Sequence, residues 1–151
     1  MKITVDTNVL IRAVVRDDKE PARAAAKLLK EAEIIAVSLP SLCEFVWVLR
    51  RVYDFGQQEI AAALEALLNT GNVAVNRPAA ELGLAILNAG GDFADGLIAY
   101  EGNWLGGDTF ASFDKKAVAL IAKQGLRTEL LIASLASAAI AAASVGGSVR
   151  I

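Results

Sequence analysis

Short apolar runs alternate with amphipathic stretches along most of the chain. The runs at 3–5, 34–37 and 73–75 have the length and composition of buried strands, and more polar strands are predicted at 109–112 and 127–131. Elsewhere apolar residues recur every three or four positions, which predicts helices at 8–15, 17–33, 38–52, 57–70, 77–89, 92–105 and 114–123. Strands that alternate with helices predict an α/β fold with a parallel sheet covered by helices on both faces.

The predicted helix 38–52 carries a wide apolar stripe. We expect this helix to be largely buried, because Trp47 and Val48 widen its apolar stripe. The stripe itself is formed by Leu42, Phe45, Val46, Leu49 and Val52. Cys43 on the same helix is expected to be a small core thiol. Trp47 and Trp104 are expected in the core or at a dimer interface, and stacking on a nucleic-acid base is the alternative for either.

Composition narrows the chemistry of this 151-residue chain. It has no histidine and one cysteine, which excludes Ser/His and Cys/His nucleophile systems, histidine general-base chemistry and ordinary zinc sites. The single cysteine cannot form an internal disulfide, and the apolar run before Asp6 is too short for a signal peptide, so we expect a cytoplasmic protein. The formal net charge of −2 argues against a global basic field for binding nucleic acid. Carboxylates remain as the catalytic groups.

The chain changes character near its end. We expect a domain at 1–131 and an Ala/Ser/Gly-rich tail at 132–151, which has only Arg150 as a charged residue. A docked helix, a disordered tail and an altered reading frame all remain open for the tail. The uncharged stretch 130–149 is near the length of a membrane span, but Ala, Ser and Gly insert weakly, so we do not expect a membrane anchor.

Four carboxylates fall where predicted strands pass into helices. Asp6 and Asp114 follow strands, the first of which is expected near the centre of the sheet, and Glu44 and Asp95 lie in first turns of helices. The carboxyl ends of parallel strands meet at one edge, so the four side chains are expected to converge there. Crowded carboxylates have raised pKa values unless a cation neutralises them, and an all-oxygen site selects Mg²⁺ or Mn²⁺. Such a site suits phosphodiester hydrolysis, so we expect a metal-dependent nuclease.

Each of these acids also has a purely structural interpretation. Asp6 and Asp114 fit helix N-caps, and Glu44 fits a capping box with Ser41. Asp92 and Asp95 have the capping-box spacing as well, so one of them can be the cap and the other its first-turn partner.

Further polar residues surround the four acids in the sequence. Asn8 and Ser112 can hold a ligand or serve as ordinary turn residues, Asp92 can cap a helix or support the metal, and Asp108 fits a plain loop role. Two interpretations are open for the basic residues near these acids. They can form a local rim that binds phosphate, or they can lie on solvated helix faces. The residues are Arg12, Arg16, Arg50, Arg51, Lys115 and Lys116.

Four motifs in order carry a family resemblance over residues 1–131. DTNVL, SLCEFVWVLR, DFADGLIAY and TFASFDKKA resemble the PIN-domain ribonucleases, in particular the VapC-like toxins of bacterial toxin–antitoxin pairs. The resemblance implies a three-layer α/β/α sandwich with a short, mostly parallel central sheet. It also implies a Mg²⁺- or Mn²⁺-dependent endoribonuclease with Asp6, Glu44, Asp95 and Asp114 as catalytic and metal-binding residues. Homodimerisation and silencing by a cognate antitoxin are implied in the same way.

Three hypotheses about function follow. The first is an endoribonuclease that acts on RNA. The second is a non-catalytic PIN-like module whose acidic pocket binds a partner peptide through an arginine. The third is a phosphatase of small phosphoesters, although Thr7 and Asn8 after Asp6 do not form the Asp-x-Asp pair of haloacid-dehalogenase enzymes.

Overall fold

The computed structural model describes residues 1–132, and the tail prediction for 132–151 therefore lies almost wholly outside the described residues. Five strands alternate with seven helices in this part of the chain, as the hydrophobic pattern predicts. The strands are β1 (Lys2–Thr4), β2 (Ile34–Ala36), β3 (Val73–Ala74), β4 (Thr109–Ser112) and β5 (Arg127–Leu130). The helices are α1 (Thr7–Val14), α2 (Lys19–Glu31), α3 (Leu39–Arg51), α4 (Gln57–Leu68), α5 (Arg77–Asn88), α6 (Phe93–Trp104) and α7 (Lys115–Lys123).

All strand pairings are parallel. A three-stranded sheet has the order β1-β2-β3, and β4 pairs with β5 in register Thr109 to Arg127. The mixed α/β architecture predicted from the pattern is confirmed, and it agrees with a PIN-like α/β/α fold. β1 was expected near the centre, but it lies at an edge of its hydrogen-bonded sheet, and β2 occupies the middle. The strands are so short that their ladders do not join the two sheets.

Most of the core lies between the three-stranded sheet and the helices. Its fully buried large side chains include Leu10 and Ile11 of α1, Ile35 of β2 and Phe45 of α3. A smaller cluster joins α5, α6 and α7 through Ile86, Ala99, Leu120 and Ile121. The core therefore fixes the starts of α1, α3, α6 and α7, the helices that carry the four candidate carboxylates.

Helices α5 and α6 approach each other closely because two glycines face one another. A Cβ built on Gly96 would lie 2.5 Å from the Cα of Gly83, so only glycine permits this crossing. Asp95 precedes Gly96 directly, and its position is therefore tied to this contact.

The expected burial of α3 is partly wrong. Leu42, Phe45, Val46 and Leu49 are buried as predicted, but Trp47 is 59% exposed and Val52 is 61% exposed. The helix packs its inner face on the core and leaves its outer face open, because within residues 1–132 nothing covers that side. No helix in the described range is both long and apolar enough to cross a membrane.

Candidate functional site

Three of the acids at the helix starts are N-caps. Each accepts a hydrogen bond from a backbone N–H through its Oδ1 atom at 3.1 Å, in the pairs Asp6 with Val9, Asp92 with Ala94, and Asp114 with Ala117. The capping interpretation is thus confirmed for Asp6 and Asp114. It does not exclude a second role, because in the described residues the Oδ2 atom of each carboxylate accepts no protein hydrogen bond. The caps hold these side chains in fixed positions.

Glu44 is oriented by the turn that follows β1. The hydroxyl of Thr7 donates a hydrogen bond of 2.8 Å to Oε2 of Glu44. The capping box of Ser41 with Glu44 is wrong, since the cap of α3 is Ser38, whose hydroxyl accepts from the Ser41 amide at 3.3 Å. The sequence pattern does not identify Thr7 as a site residue, although its hydroxyl lies between Asp6 and Asn8 in the first of the four motifs.

Glu44 lines two cavities, one with Asp6 and the other with Asp92. Asp6, Thr7, Asn8 and Glu44 line a cavity of about 320 Å³. Glu44 and Asp92 line another of about 410 Å³. Asn8 therefore lies beside Asp6 and Glu44, as a side chain that holds a ligand or water would.

Asp95 is the half-buried member of the set. Burial raises the pKa of Asp95 above its usual range, and the negative charges of Asp92 and Asp114 raise it further. Within residues 1–132 its carboxylate accepts no hydrogen bond and forms no ion pair. The same part of the chain has ion pairs elsewhere, between Arg12 and Asp17, Arg77 and Glu81, and Arg127 and Asp108.

We call Asp6, Glu44, Asp92, Asp95 and Asp114 together the acidic cleft. It has two neighbouring halves, Asp6 with Glu44 and Asp95 with Asp92 and Asp114, which meet where Glu44 and Asp92 share a cavity. Among residues 1–132 no three carboxylates or thiols converge closely enough to form a complete metal site. The possible ligand atoms of the acidic cleft are carboxylate oxygens, which are the ligands that Mg²⁺ and Mn²⁺ prefer.

Two neighbouring polar residues have structural roles. The Ser112 hydroxyl accepts a hydrogen bond from the Asp114 amide at 3.0 Å and so shapes the turn in front of α7. Asp108 accepts from the Thr109 hydroxyl at 2.9 Å and pairs with Arg127 at 3.5 Å, so the loop role expected for it is confirmed.

Arg12 of the suggested basic rim is already paired. Its guanidinium lies 2.9 Å from Asp17, whereas Arg50 and Arg51 form no ion pair within the described range.

Cys43 and the tryptophans differ in how well the expectations hold. Cys43 is half-buried against the core, and burial, with smaller effects of Asp92 and Glu101, raises the pKa of its thiol. It therefore stays protonated and is a poor nucleophile. Trp47 and Trp104 were expected in the core or at a dimer interface. The core is wrong for both, since they are 59% and 76% exposed, and the dimer interface stays a prediction. The Trp104 indole N–H donates to the Tyr100 hydroxyl at 2.8 Å.

Comparison with known protein families identifies the domain. No curated protein matches the chain. The family model described as PIN domain matches residues 3–123, a stretch that includes Asp6, Glu44, Asp95 and Asp114. PIN domains are generally metal-dependent nucleases. Because the match covers most of the sequence and nearly all of the described fold, this chain belongs to the PIN domain family.

Proposed function

We propose that this protein is a divalent-metal-dependent endoribonuclease whose catalytic and metal-binding residues are Asp6, Glu44, Asp95 and Asp114. The observation that carries the proposal is the environment of Asp95. Its half-buried carboxylate lies near the charges of Asp92 and Asp114, and it forms no ion pair in the described residues. An arrangement of this kind costs folding stability, and a bound cation would remove that cost.

The four carboxylates would hold Mg²⁺ or Mn²⁺, which when bound supplies water activation and neutralises charge on a phosphodiester. Hydrogen bonds within the chain hold three of these carboxylates in place. The caps fix the carboxylates of Asp6 and Asp114 at the starts of α1 and α7. The Thr7 hydroxyl fixes Glu44. The Oδ2 atoms of Asp6 and Asp114 accept no hydrogen bond within residues 1–132 and are available to a ligand.

Cleavage of RNA by the purified full chain tests the proposal. An end-labelled single-stranded RNA should be cut with Mg²⁺ or Mn²⁺ and left intact in EDTA. Asp95→Asn keeps the shape of the side chain but removes its charge, and we expect it to lower the rate by about 100-fold or more.

Asp108→Asn is the control, because it removes a carboxylate charge by the same change of residue, at an exposed site that pairs with Arg127 outside the acidic cleft. It should cut like the wild type. Equal cleavage by Asp95→Asn, or cleavage by the wild type in EDTA, would contradict the proposal. A small phosphoester run in parallel distinguishes a phosphatase, which would hydrolyse it and leave RNA intact.

We further propose that the nuclease is the toxin of a toxin–antitoxin pair and acts as a homodimer. The support is the resemblance of the four motifs to VapC-like toxins. Expression of the wild type in a bacterial host should arrest growth, and expression of Asp95→Asn should not. Growth unaffected by an RNA-cleaving wild-type protein would contradict the toxin role, and sedimentation of the purified chain as a monomer would contradict the dimer.

A second candidate is a non-catalytic module whose acidic cleft receives a partner's arginine. The unpaired Asp95 suits a guanidinium as well as a metal ion. Calorimetric titration with Mn²⁺ separates the two, because a specific site lost in Asp95→Asn and retained in Asp108→Asn favours the nuclease. A peptide receptor need bind no Mn²⁺ there.

A further inference from the structure

The outer face of α3 exposes a large aromatic side chain beside the acidic cleft. Trp47 is 59% exposed, although its helix neighbours Phe45, Val46 and Leu49 are buried. An indole left in water forfeits the free energy that its burial would give, so its exposure beside a cavity is typical of a binding surface.

Trp47 lines the same cavity as two arginines and two acids. This cavity of about 410 Å³ is bounded by Trp47, Arg50 and Arg51 on α3, and by Glu44 and Asp92 on the side of the acidic cleft. Glu44, Trp47 and Arg51 are three and four residues apart, so they follow one face of the helix. At 1.5 Å per residue, about 10 Å of helix separates the acid from the arginine.

Arg50 and Arg51 are available to a ligand. Three other arginines of the described range pair with carboxylates, but Arg50 and Arg51 form neither an ion pair nor a side-chain hydrogen bond in residues 1–132. Both are exposed. The two arginines are a local concentration of positive charge next to the acidic cleft, in a protein whose net charge is −2.

The order acid, aromatic and cation matches the chemistry of a single-stranded nucleic acid. An unpaired base offers a flat face that stacks on an indole, and the neighbouring phosphate offers an anion to a guanidinium. A base in a duplex has both faces covered by its neighbours and cannot stack in this way.

We propose that Trp47, Arg50 and Arg51 form a subsite for one nucleotide of a single-stranded nucleic acid, adjacent to the acidic cleft. The base stacks on Trp47, and the phosphate of that nucleotide binds the two arginines. This inference rests on the proposed nuclease function for its role in catalysis, but binding at the subsite is measurable without cleavage.

Intrinsic fluorescence tests the subsite directly, because the chain has only two tryptophans. The variant Asp95→Asn with Trp104→Phe keeps Trp47 as the sole indole and is not expected to cut RNA. Titration with a short single-stranded RNA should quench its emission saturably, and the duplex of the same sequence should bind at least tenfold more weakly. The matched variant, Asp95→Asn with Trp47→Phe, reports from Trp104 and should show no quenching.

Substitutions then separate stacking from charge. Trp47→Ala should weaken single-strand binding about tenfold or more, whereas Trp104→Ala, which removes a more exposed indole, should have no effect. Replacing Arg50 and Arg51 by Gln should weaken binding and reduce its salt dependence. Circular dichroism confirms that each variant is folded.

The outcomes distinguish this inference from the proposed function. Quenching of Trp47 without any cleavage by the wild type supports the subsite and contradicts the nuclease. Cleavage with unchanged KM and affinity in Trp47→Ala overturns the subsite and leaves the nuclease. Equal quenching of both tryptophans also overturns the subsite. A change in sedimenting mass in Trp47→Ala alone overturns it as well, and would assign this face to contact with another copy of the chain.

Discussion

The two ends of helix α6 differ in how the protein treats negative charge. At its start, Asp92 and Asp95 lie near Asp114, and none of the three forms an ion pair in residues 1–132. Beyond its other end, the amino ends of β4 and β5 border a larger cavity of about 530 Å³, where Asp108 pairs with Arg127. The larger cavity therefore has a neutralised acid, and the smaller cavities have unpaired ones.

This difference identifies the functional end better than cavity size does. A paired acid at the protein surface contributes little beyond solubility, whereas unpaired acids held together destabilise the fold. A protein retains such an arrangement where a ligand compensates it. If the two ends of α6 differ in this way, substitutions at the two ends should have different effects on stability and cleavage.

The largest effect is expected from a change at the crossing of α5 and α6. In Gly96→Ala the new methyl group would meet the backbone of Gly83, so the helices must separate. We expect the free energy of unfolding to fall by about 1–3 kcal/mol and RNA cleavage to fall with it, since Asp95 moves. Urea denaturation measures the stability.

Gly102→Ala is the control on the same helix, at the border of the larger cavity. No atom lies within 4 Å of its Cβ position, so we expect a gain of about 0.5–1 kcal/mol and unchanged cleavage. Similar behaviour of the two variants would show that the glycine contact does not position the cleft.

A smaller effect on stability is expected at Asp114, where substitutions by asparagine and alanine separate helix capping from metal binding. Asparagine caps helices as well as aspartate, so Asp114→Asn should change stability by only a few tenths of a kcal/mol, whereas Asp114→Ala should lose about 1 kcal/mol. Both should lose cleavage. Asn76→Ala, which removes the 3.3 Å cap of α5, should lose stability and keep activity. Wild-type cleavage by Asp114→Asn would mean that the residue is a cap alone.

The smallest effect is the pH dependence of stability from Asp95. Because its pKa is raised in the folded state, the folded protein holds that proton more tightly than the unfolded chain does. Stability from this group is present below the ordinary Asp pKa of about 3.9 and is lost as the pH rises through the raised value. In EDTA, Asp95→Asn should therefore be more stable than the wild type at pH 7, and the difference should shrink towards pH 4.

Asp108→Asn should gain nothing at pH 7, because its partner Arg127 compensates the charge that is removed. Thermal melts of both variants across this pH range make the comparison. A loss of stability in Asp95→Asn at pH 7 would contradict the electrostatic description of the cleft.

Local sequence predicted the elements well and the roles of individual residues less well. Helix and strand positions follow from apolar spacing, and Asp6 and Asp114 follow from strand-to-helix turns, which are local features. The pattern of Ser41 and Glu44 is also local, yet the capping box does not form, because Ser38 caps α3 and Thr7, 37 residues from Glu44, supplies a stronger partner. Trp47 fits the apolar pattern of α3 but is exposed, since burial depends on what packs against the helix.

The sequence by itself determined the α/β element order, the absence of histidine chemistry and the positions of Asp6, Asp95 and Asp114 at helix starts. These properties depend on neighbours within a few residues, or on composition. Glu44, which was expected in a first turn, lies in the second turn of α3, because that helix begins at Leu39. Only the tertiary structure decided which acids form an ion pair, because Asp92 and Asp108 each follow two glycines in the sequence, and only Asp108 meets the distant Arg127. It also decided that Trp47, Arg50 and Arg51 border the acidic cleft, since the cavity between them forms only when α3 and α6 pack together.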